Sequence, residues 1–301
     1  MRLLECVPNV SEGRDATVVE RIVRAVEETP GVELLDWSAD RDHNRAVLTY
    51  VGEPEAVLAG TRALCLEAFA AIDMQQHEGA HPRLGAVDVI PFVPLRGVTS
   101  EEAVVLAREL GEWIGQQGVP VYYYQEAATR PERQSLPDVR RGEYEGLAAR
   151  LATPEGAPDA GPAVFNARSG ASIVGVRPPL IAFNVNLRTD ELAIAIKIAN
   201  AIRESSGGLP AVQAMGVMLE NPGMPPMAQV SMNLVDWERT GIAEVVREIR
   251  RMAREAGTQV DHCELIGLAP TGALLEVAAD ALGLRDFSPD QALELRLAKD
   301  R

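Results

Sequence analysis

The sequence predicts an α/β protein of the α+β kind: two tandem ferredoxin-like βαββαβ subdomains with a groove between their sheets. Three observations predict it. Apolar runs of strand length alternate with stretches whose apolar residues recur at helical spacing. The order of those elements repeats in the two halves of the chain. A proline- and glycine-bearing stretch separates the halves, and a length of 301 residues suits two domains. The plainer alternative is two unrelated α+β domains.

Residues 3–8 read as the first strand. A helix over 15–28 follows, where Val18, Val19, Ile22, Val23 and Val26 fall at helical spacing, and Gly31 stops it. Residues 32–37 and 46–51 are strands. Pro54 opens a helix that runs to about residue 71, in the first turn, where a missing N–H costs nothing. A β-branched strand at 87–93, a helix over 101–116 and a strand at 119–124 complete β-α-β-β-α-β plus one α-β pair. The second series has a strand at 180–187 and a helix over 190–203 carrying Leu192, Ile194, Ile196, Ile198 and Ile202. Strands at 211–219 and 229–235, a helix over 242–254, a strand at 260–268 and a final helix over 272–282 follow.

Between the series, residues 126–178 hold Pro131, Pro137, Pro154, Pro158, Pro162 and Pro178, with nine glycines or serines. A short helix is expected over 143–151. A connection this long in a compact protein is usually functional or disordered. The piece GPAVFNARSG keeps apolar residues among its glycines, which argues against simple disorder, and glycine lets backbone approach a ligand closely. The expected domains are 1–178 and 179–301.

A formal net charge of −15 repels nucleic acid and anionic membrane surfaces, so neither is an expected partner. A small-molecule anion would need local arginines working against that field. The first residues have no apolar core of the signal-peptide kind, and no run approaches the ~20 apolar residues of a membrane helix. Cys6, Cys65 and Cys263 have no metal-ligand spacing and read as small apolar residues of a reducing, cytoplasmic compartment.

The four histidines are His43, His77, His81 and His262. His77-Glu78-Gly79-Ala80-His81 matches the H-E-x-x-H pattern of zinc hydrolases letter by letter. That pattern needs a helix to put both histidines on one face. Gly79 lies inside it, Pro82 follows, and the residue before proline is steered out of the helical region. The favoured reading is a loop presenting His81 before a buried strand, with Glu78, Arg83 and Asp88 in its company. Imidazole titrates near neutrality and suits proton shuttling. The run Asp40-Arg41-Asp42-His43-Asn44-Arg45 joins two strands and reads most simply as a solvated hairpin turn. Asn184 and Asn186 sit in an otherwise apolar strand, where unpaired amides are costly. They fit a polar cleft, or strand-end hydrogen bonding.

The segments ECVPNVSEG, HNRAVLTYVG, HEGAHPRLGAVDVIPFVPLRGVT, RQSLPDVRRGEYE, LIAFNVNL and AQVSMNL resemble the glutamate formimidoyltransferases, the transferase part of formimidoyltransferase-cyclodeaminase. The resemblance covers residues 2 to about 275. It implies two ferredoxin-like subdomains and a folate-dependent transferase of histidine degradation. That enzyme would move a formimino group from N-formimino-L-glutamate to N5 of tetrahydrofolate, its co-substrate, with no metal. It places the catalytic histidine on His81. The folate segment falls on Gly161, Pro162, Ala163, Val164, Phe165, Asn166, Ala167, Arg168, Ser169 and Gly170. It further implies a homodimer. Both substrates carry carboxylates, which arginine binds bidentately. Arg45, Arg83, Arg168 and Arg177 are the candidates, with Asn184 and Asn186 also at the substrates. No cyclodeaminase domain is expected in the 301 residues. Formyl transfer, or cyclisation of 5-formyltetrahydrofolate, would use the same site. A non-catalytic folate or amino-acid sensor is the alternative of another class.

Overall fold

The structure is a computed structural model describing residues 2–41, 43–79, 82–219 and 225–298. It divides into two compact units, Met1–Arg177 and Pro178–Arg301. In the first unit the described elements are β1 (Leu3–Cys6), β2 (Asn9–Val10), α1 (Ala16–Glu27), β3 (Val32–Asp40), β4 (Arg45–Gly52), α2 (Pro54–Ala71) and β5 (Val87–Arg96). They continue with α3 (Ser100–Gln116), β6 (Val121–Gln125), α4 (Leu136–Val139), α5 (Glu143–Leu151) and β7 (Ser172–Val176).

β1 and β2 lie in series between β4 and β5, antiparallel to both. β3 pairs with the far side of β4. Across the sheet the strands therefore run fourth, first, third, second of a ferredoxin-like βαββαβ unit. The first strand, expected unbroken over 3–8, is divided where Pro8 has no N–H to give the ladder. Its carbonyl still accepts from Leu48 N, at 3.1 Å. β7 then adds parallel to β5, and β6 parallel to β7.

The ends of the helices follow local chemistry. Asp15 caps α1, its side chain accepting from the Thr17 and Val18 amides. Thr99 and Glu102 form a reciprocal capping box on α3. α1 buries Val19, Ile22, Val23 and Val26. A core of these residues, Leu4, Cys6, Ile90, Phe92, Leu110 and their neighbours covers one face of the sheet. On β6 and β7 a separate cluster of Tyr122, Tyr124, Val139, Leu147, Leu151 and Ile173 covers the other face. Strands covered on both faces lose the alternation of a half-buried strand, and VYYY and SIVGV show none.

The second unit holds β8 (Ile181–Leu187), α6 (Leu192–Ile202), β9 (Val212–Leu219), β10 (Met227–Leu234), α7 (Ile242–Glu255), β11 (Val260–Ile266), α8 (Thr271–Leu282) and α9 (Leu293–Ala298). Its antiparallel sheet runs β11-β8-β10-β9, again fourth, first, third, second. α7 turns Ile242, Val245, Val246, Ile249 and Ala253 into a core of its own with β8, β10 and α6. Among the described residues no helix is long and apolar enough to cross a membrane.

Candidate active site

Three segments of the first unit meet at the β3–β4 turn. Asp40 Oδ1 accepts from His43 N at 2.8 Å, which closes the turn. Asn44 stands at φ +49° and is 6% exposed, so the turn is solvated only in part. Its Oδ1 accepts from Gly13 N at 3.0 Å, and its Nδ2 donates to Glu78 O at 2.9 Å. Its carbonyl lies 2.9 Å from His77 Nε2. One asparagine thereby ties the end of the first strand to the loop leading to His81. Asp42, Ala80 and His81 lie outside the described residues.

His77 is committed at both ring nitrogens. A carbonyl can only accept, so Nε2 carries the proton toward Asn44 O. Nδ1 then accepts from Arg83 Nε at 3.2 Å. Residues 77–79 lie beyond the end of α2 and are not helical. The zinc-hydrolase arrangement lacks its helix there, and its first histidine has no lone pair to offer.

Arg83, 9% exposed, spends every nitrogen on the protein. Besides His77, it donates from Nη1 to Glu143 at 3.2 Å and Glu145 at 3.0 Å, and from Nη2 to Glu145 at 2.6 Å. The bidentate guanidinium holds the Glu145 carboxyl below the usual range. Tyr144 N also donates to Arg83 O. The short helix α5 is thus anchored to the loop that follows His81.

Ser11, His43, Asn44, Arg45, His77, Arg83 and Asp88 line a small cleft. Asp88, 1% exposed, accepts from Leu84 N at 2.8 Å and pairs with Arg140. Ser11 Oγ donates to Gly85 O at 2.8 Å, and Ser11 N donates to Ala86 O. Burial lowers the pKa of Arg45, as does nearby Arg140; Asp88 and Asp40 oppose them. The cleft therefore holds guanidinium charge over a buried carboxylate.

The segment Gly161–Gly170 is built against the same strand entrance. Gly85 bridges Gly170, Ala86 N donates to Ser169 O, and Ala171 N donates to Leu84 O. A Cβ at Gly170 would sit 2.3 Å from Leu84 O, and one at Gly85 would sit 2.4 Å from Ala171 O. These glycines admit protein backbone. Asn166 bonds Ser169 N through Oδ1 and Gly118 O through Nδ2. Phe165 packs on Tyr144 at 5.4 Å between ring centroids, and Tyr144 Oη donates to Ala167 O at 2.5 Å. Val164 is left 68% exposed. Pro162 is half-buried and Ala163 exposed.

Two predicted arginines lie away from the cleft. Arg168 donates to the carbonyls of Phe69 and Ala70, at 3.5 and 2.7 Å, and so caps the C-terminal end of α2. Arg177 faces Tyr124 and Glu5; burial raises the Glu5 carboxyl and Arg177 opposes it. In the second unit Asn186 is fully buried, and Asn184 lies beside Glu264 at 3.5 Å. Sequence reasoning did not single out Asn44, Arg140 and Glu145, which tie these loops together. Arg140 and Glu145 lie in the segment RQSLPDVRRGEYE and Asn44 in the charged turn at 40–45, but neither pattern told what those side chains would bond.

Comparisons with known proteins extend over both units. The sequence pattern described as "Formiminotransferase domain, N-terminal subdomain" matches residues 3–177, and that described as "Formiminotransferase domain" matches residues 182–284. A glutamate formimidoyltransferase of Streptococcus pyogenes serotype M1 is 43% identical over 95% of this chain and 95% of its own. One of Thermoplasma acidophilum is 42% identical over 99% of this chain and 98% of its own. The formimidoyltransferase-cyclodeaminase of Mus musculus is 44% identical over 92% of this chain, which spans 52% of the mouse protein.

Proposed function

Because this chain belongs to the formiminotransferase family, we propose that it moves the formimino group of N-formimino-L-glutamate to N5 of tetrahydrofolate, as a folate-dependent transferase of histidine degradation. The observation that carries the reading is near full-length similarity to two glutamate formimidoyltransferases, spanning both units.

In the reaction N5 attacks the carbon of the donor's amidinium group. The C–N5 bond forms, and the C=N electron pair moves to the terminal nitrogen. His81 takes the proton from N5 and hands it to the glutamate nitrogen. The bond from carbon to that nitrogen breaks, the amidinium re-forms on N5, and L-glutamate leaves. One imidazole acts as base and then acid, an effect of about 10²–10⁴-fold. Holding both substrates together removes much of the entropic barrier.

Arg45, in the cleft, is assigned to a donor carboxylate. Arg83 is assigned to positioning, because its nitrogens already hold His77, Glu143 and Glu145. Gly161–Gly170 is the folate contact, and Arg168 shapes it from the end of α2. Arg177, Asn184 and Asn186 are assigned to positioning, beside Glu5, Glu264 and His262 respectively. No step needs a metal. Buried Cys6 and Cys65 fit the reducing cytoplasm. Leu282, Leu284 and Leu293, all at least half exposed, offer apolar surface to a second copy in a homodimer. Incubation with each donor and tetrahydrofolate, read by mass spectrometry, tests the reading. A 5-formimino product from formiminoglutamate supports it; turnover of formylglutamate alone would reassign the donor.

A further inference from the structure

Residues of α4, of α5 and of the loops beside them line a pocket of about 470 Å³ in the first unit. It shares no residue with the cleft at the β3–β4 turn. Arg133 and Arg150 line its inner wall, and exposed Glu132 and Glu155 stand at its rim. Both guanidinium groups lie over the buried ring of Tyr122, Arg150 at 4.0 Å and Arg133 at 5.0 Å from its centroid. The Tyr122 hydroxyl donates to Gly156 O at 2.8 Å, which fixes the ring.

The two arginines differ in what they leave open. Arg133 is 2% exposed and pairs with Asp159, and its Nη2 donates to Ala157 O at 2.6 Å. Asp159 is engaged as well, accepting from Tyr123 N and from the Thr129 hydroxyl. Arg150 donates from Nη1 to Val139 O. Its Nε and Nη2 meet no acceptor among the described residues. Burial lowers the Arg150 pKa and Tyr122 opposes it; Arg133 lowers it further and Asp159 opposes that. Two guanidinium groups thus stand over one carboxylate that is already taken, and the surplus charge sits on a residue lining the pocket.

The Nε–Nη2 edge of a guanidinium is a fork that meets the two oxygens of a carboxylate or phosphate with parallel hydrogen bonds. The rim selects between them. Asp138 is paired with Arg141, but the side chains of Glu132 and Glu155 have no partner among the described residues. Two such carboxylates repel a dianion, as does the net charge of −15, and attract an ammonium group. A molecule with one carboxylate and one ammonium close together satisfies wall and rim at once. The walls also lead to the cleft. Asp138 and Val139 of α4 line the pocket, while Arg140, next in sequence, pairs with buried Asp88. Arg150 of α5 lines it, while Glu143 and Glu145 at the other end of that helix hold Arg83. A ligand that fixes Arg150 therefore acts on the two helices that brace the loop after His81.

We propose that this pocket is an effector site for a free α-amino acid, Arg150 taking its carboxylate through Nε and Nη2, and Glu132 with Glu155 its ammonium group. It uses none of the residues assigned above to either substrate. The test uses the full chain as wild type, Arg150→Gln and Glu155→Gln. Only the backbone of Glu155 is bonded, so Glu155→Gln keeps the fold even where loss of the Tyr122 stack unsettles Arg150→Gln. Ligand-observed NMR titrates L-glutamine, which lacks the second carboxylate of donor and product, and acetate, which lacks the ammonium. Wild type is expected to bind glutamine saturably. Both variants should bind it at least about tenfold more weakly, the scale of a lost charge-assisted bond. Acetate affinity should fall in Arg150→Gln and hold in Glu155→Gln. Glutamine should change the rate of formimino transfer by wild type and leave Arg150→Gln unaffected. No saturable binding by wild type, or glutamine affinity unchanged in the variants, overturns the proposal; so does binding that leaves turnover as it was. A wild type without formimino transfer overturns the proposed function instead, and the titration alone then decides the amino-acid site.

Discussion

The Asn44 side chain joins two segments of the site, at Gly13 and Glu78. Replacing it with alanine strands the Gly13 amide and the Glu78 carbonyl in a largely buried place. Each such loss costs about 1–3 kcal/mol. Asn44→Ala should therefore lower the thermal midpoint by several degrees, at roughly 2–4 °C per kcal/mol for a domain this size. It should also lower turnover, because the loop before His81 loses its tether. A melting curve and a turnover number check both, and an unchanged midpoint would mean that water replaces the amide. His77 leads to a second expectation. With both ring nitrogens engaged it cannot ligate zinc, so dialysis against a strong chelator should leave activity intact. Loss of activity with rescue by zinc would contradict this. The sequence made the misleading H-E-x-x-H letters visible and also the reasons to distrust them, Gly79 and Pro82. It could not show Asn44 as a tether, because that role depends on which distant backbone groups the fold delivers to one amide.

At the scale of elements, most strands and helices were legible because half-buried elements leave a period. β7 left none. It is short, buried on both faces, and contains Gly175, where a Cβ would sit 2.2 Å from the Tyr124 ring. β3 runs on to Asp40, past the expected end at residue 37, because its last residues pair with β4 while exposed at the sheet edge. The glycines of 161–170 were legible as close-approach positions, but the approach is to protein. Gly170 at φ +65° faces Leu84 O, whereas Gly118 at φ +80° faces open space. Gly118→Ala should cost only the left-handed strain, about 1–2 kcal/mol. Gly170→Ala adds a backbone clash and should cost clearly more, with weakened folate binding. Equal midpoints for the two variants would mean that the Gly85–Gly170 bridge does not hold the segment.

For the whole molecule, element order suggested a duplication beside the alternative of two unrelated α+β domains, and both sheets carry the fourth, first, third, second arrangement. The two added strands of the first unit could not be placed from order, since β7 enters between β5 and β6 after the chain has passed that slot. Each unit owns a separate core. A fragment of residues 1–177 should thus unfold cooperatively by itself; a broad, non-cooperative melt would show that its stability depends on the rest of the chain. The central claim is that both units serve one formimino transfer driven by His81. It is tested most directly by mixing the full chain with N-formimino-L-glutamate and tetrahydrofolate. Mass spectrometry then follows 5-formiminotetrahydrofolate and glutamate in wild type and His81→Ala. The account predicts equimolar products from the wild type and a rate lower by roughly two to four orders of magnitude in the folded variant. No product from the wild type, or a near-normal rate in His81→Ala, would contradict it.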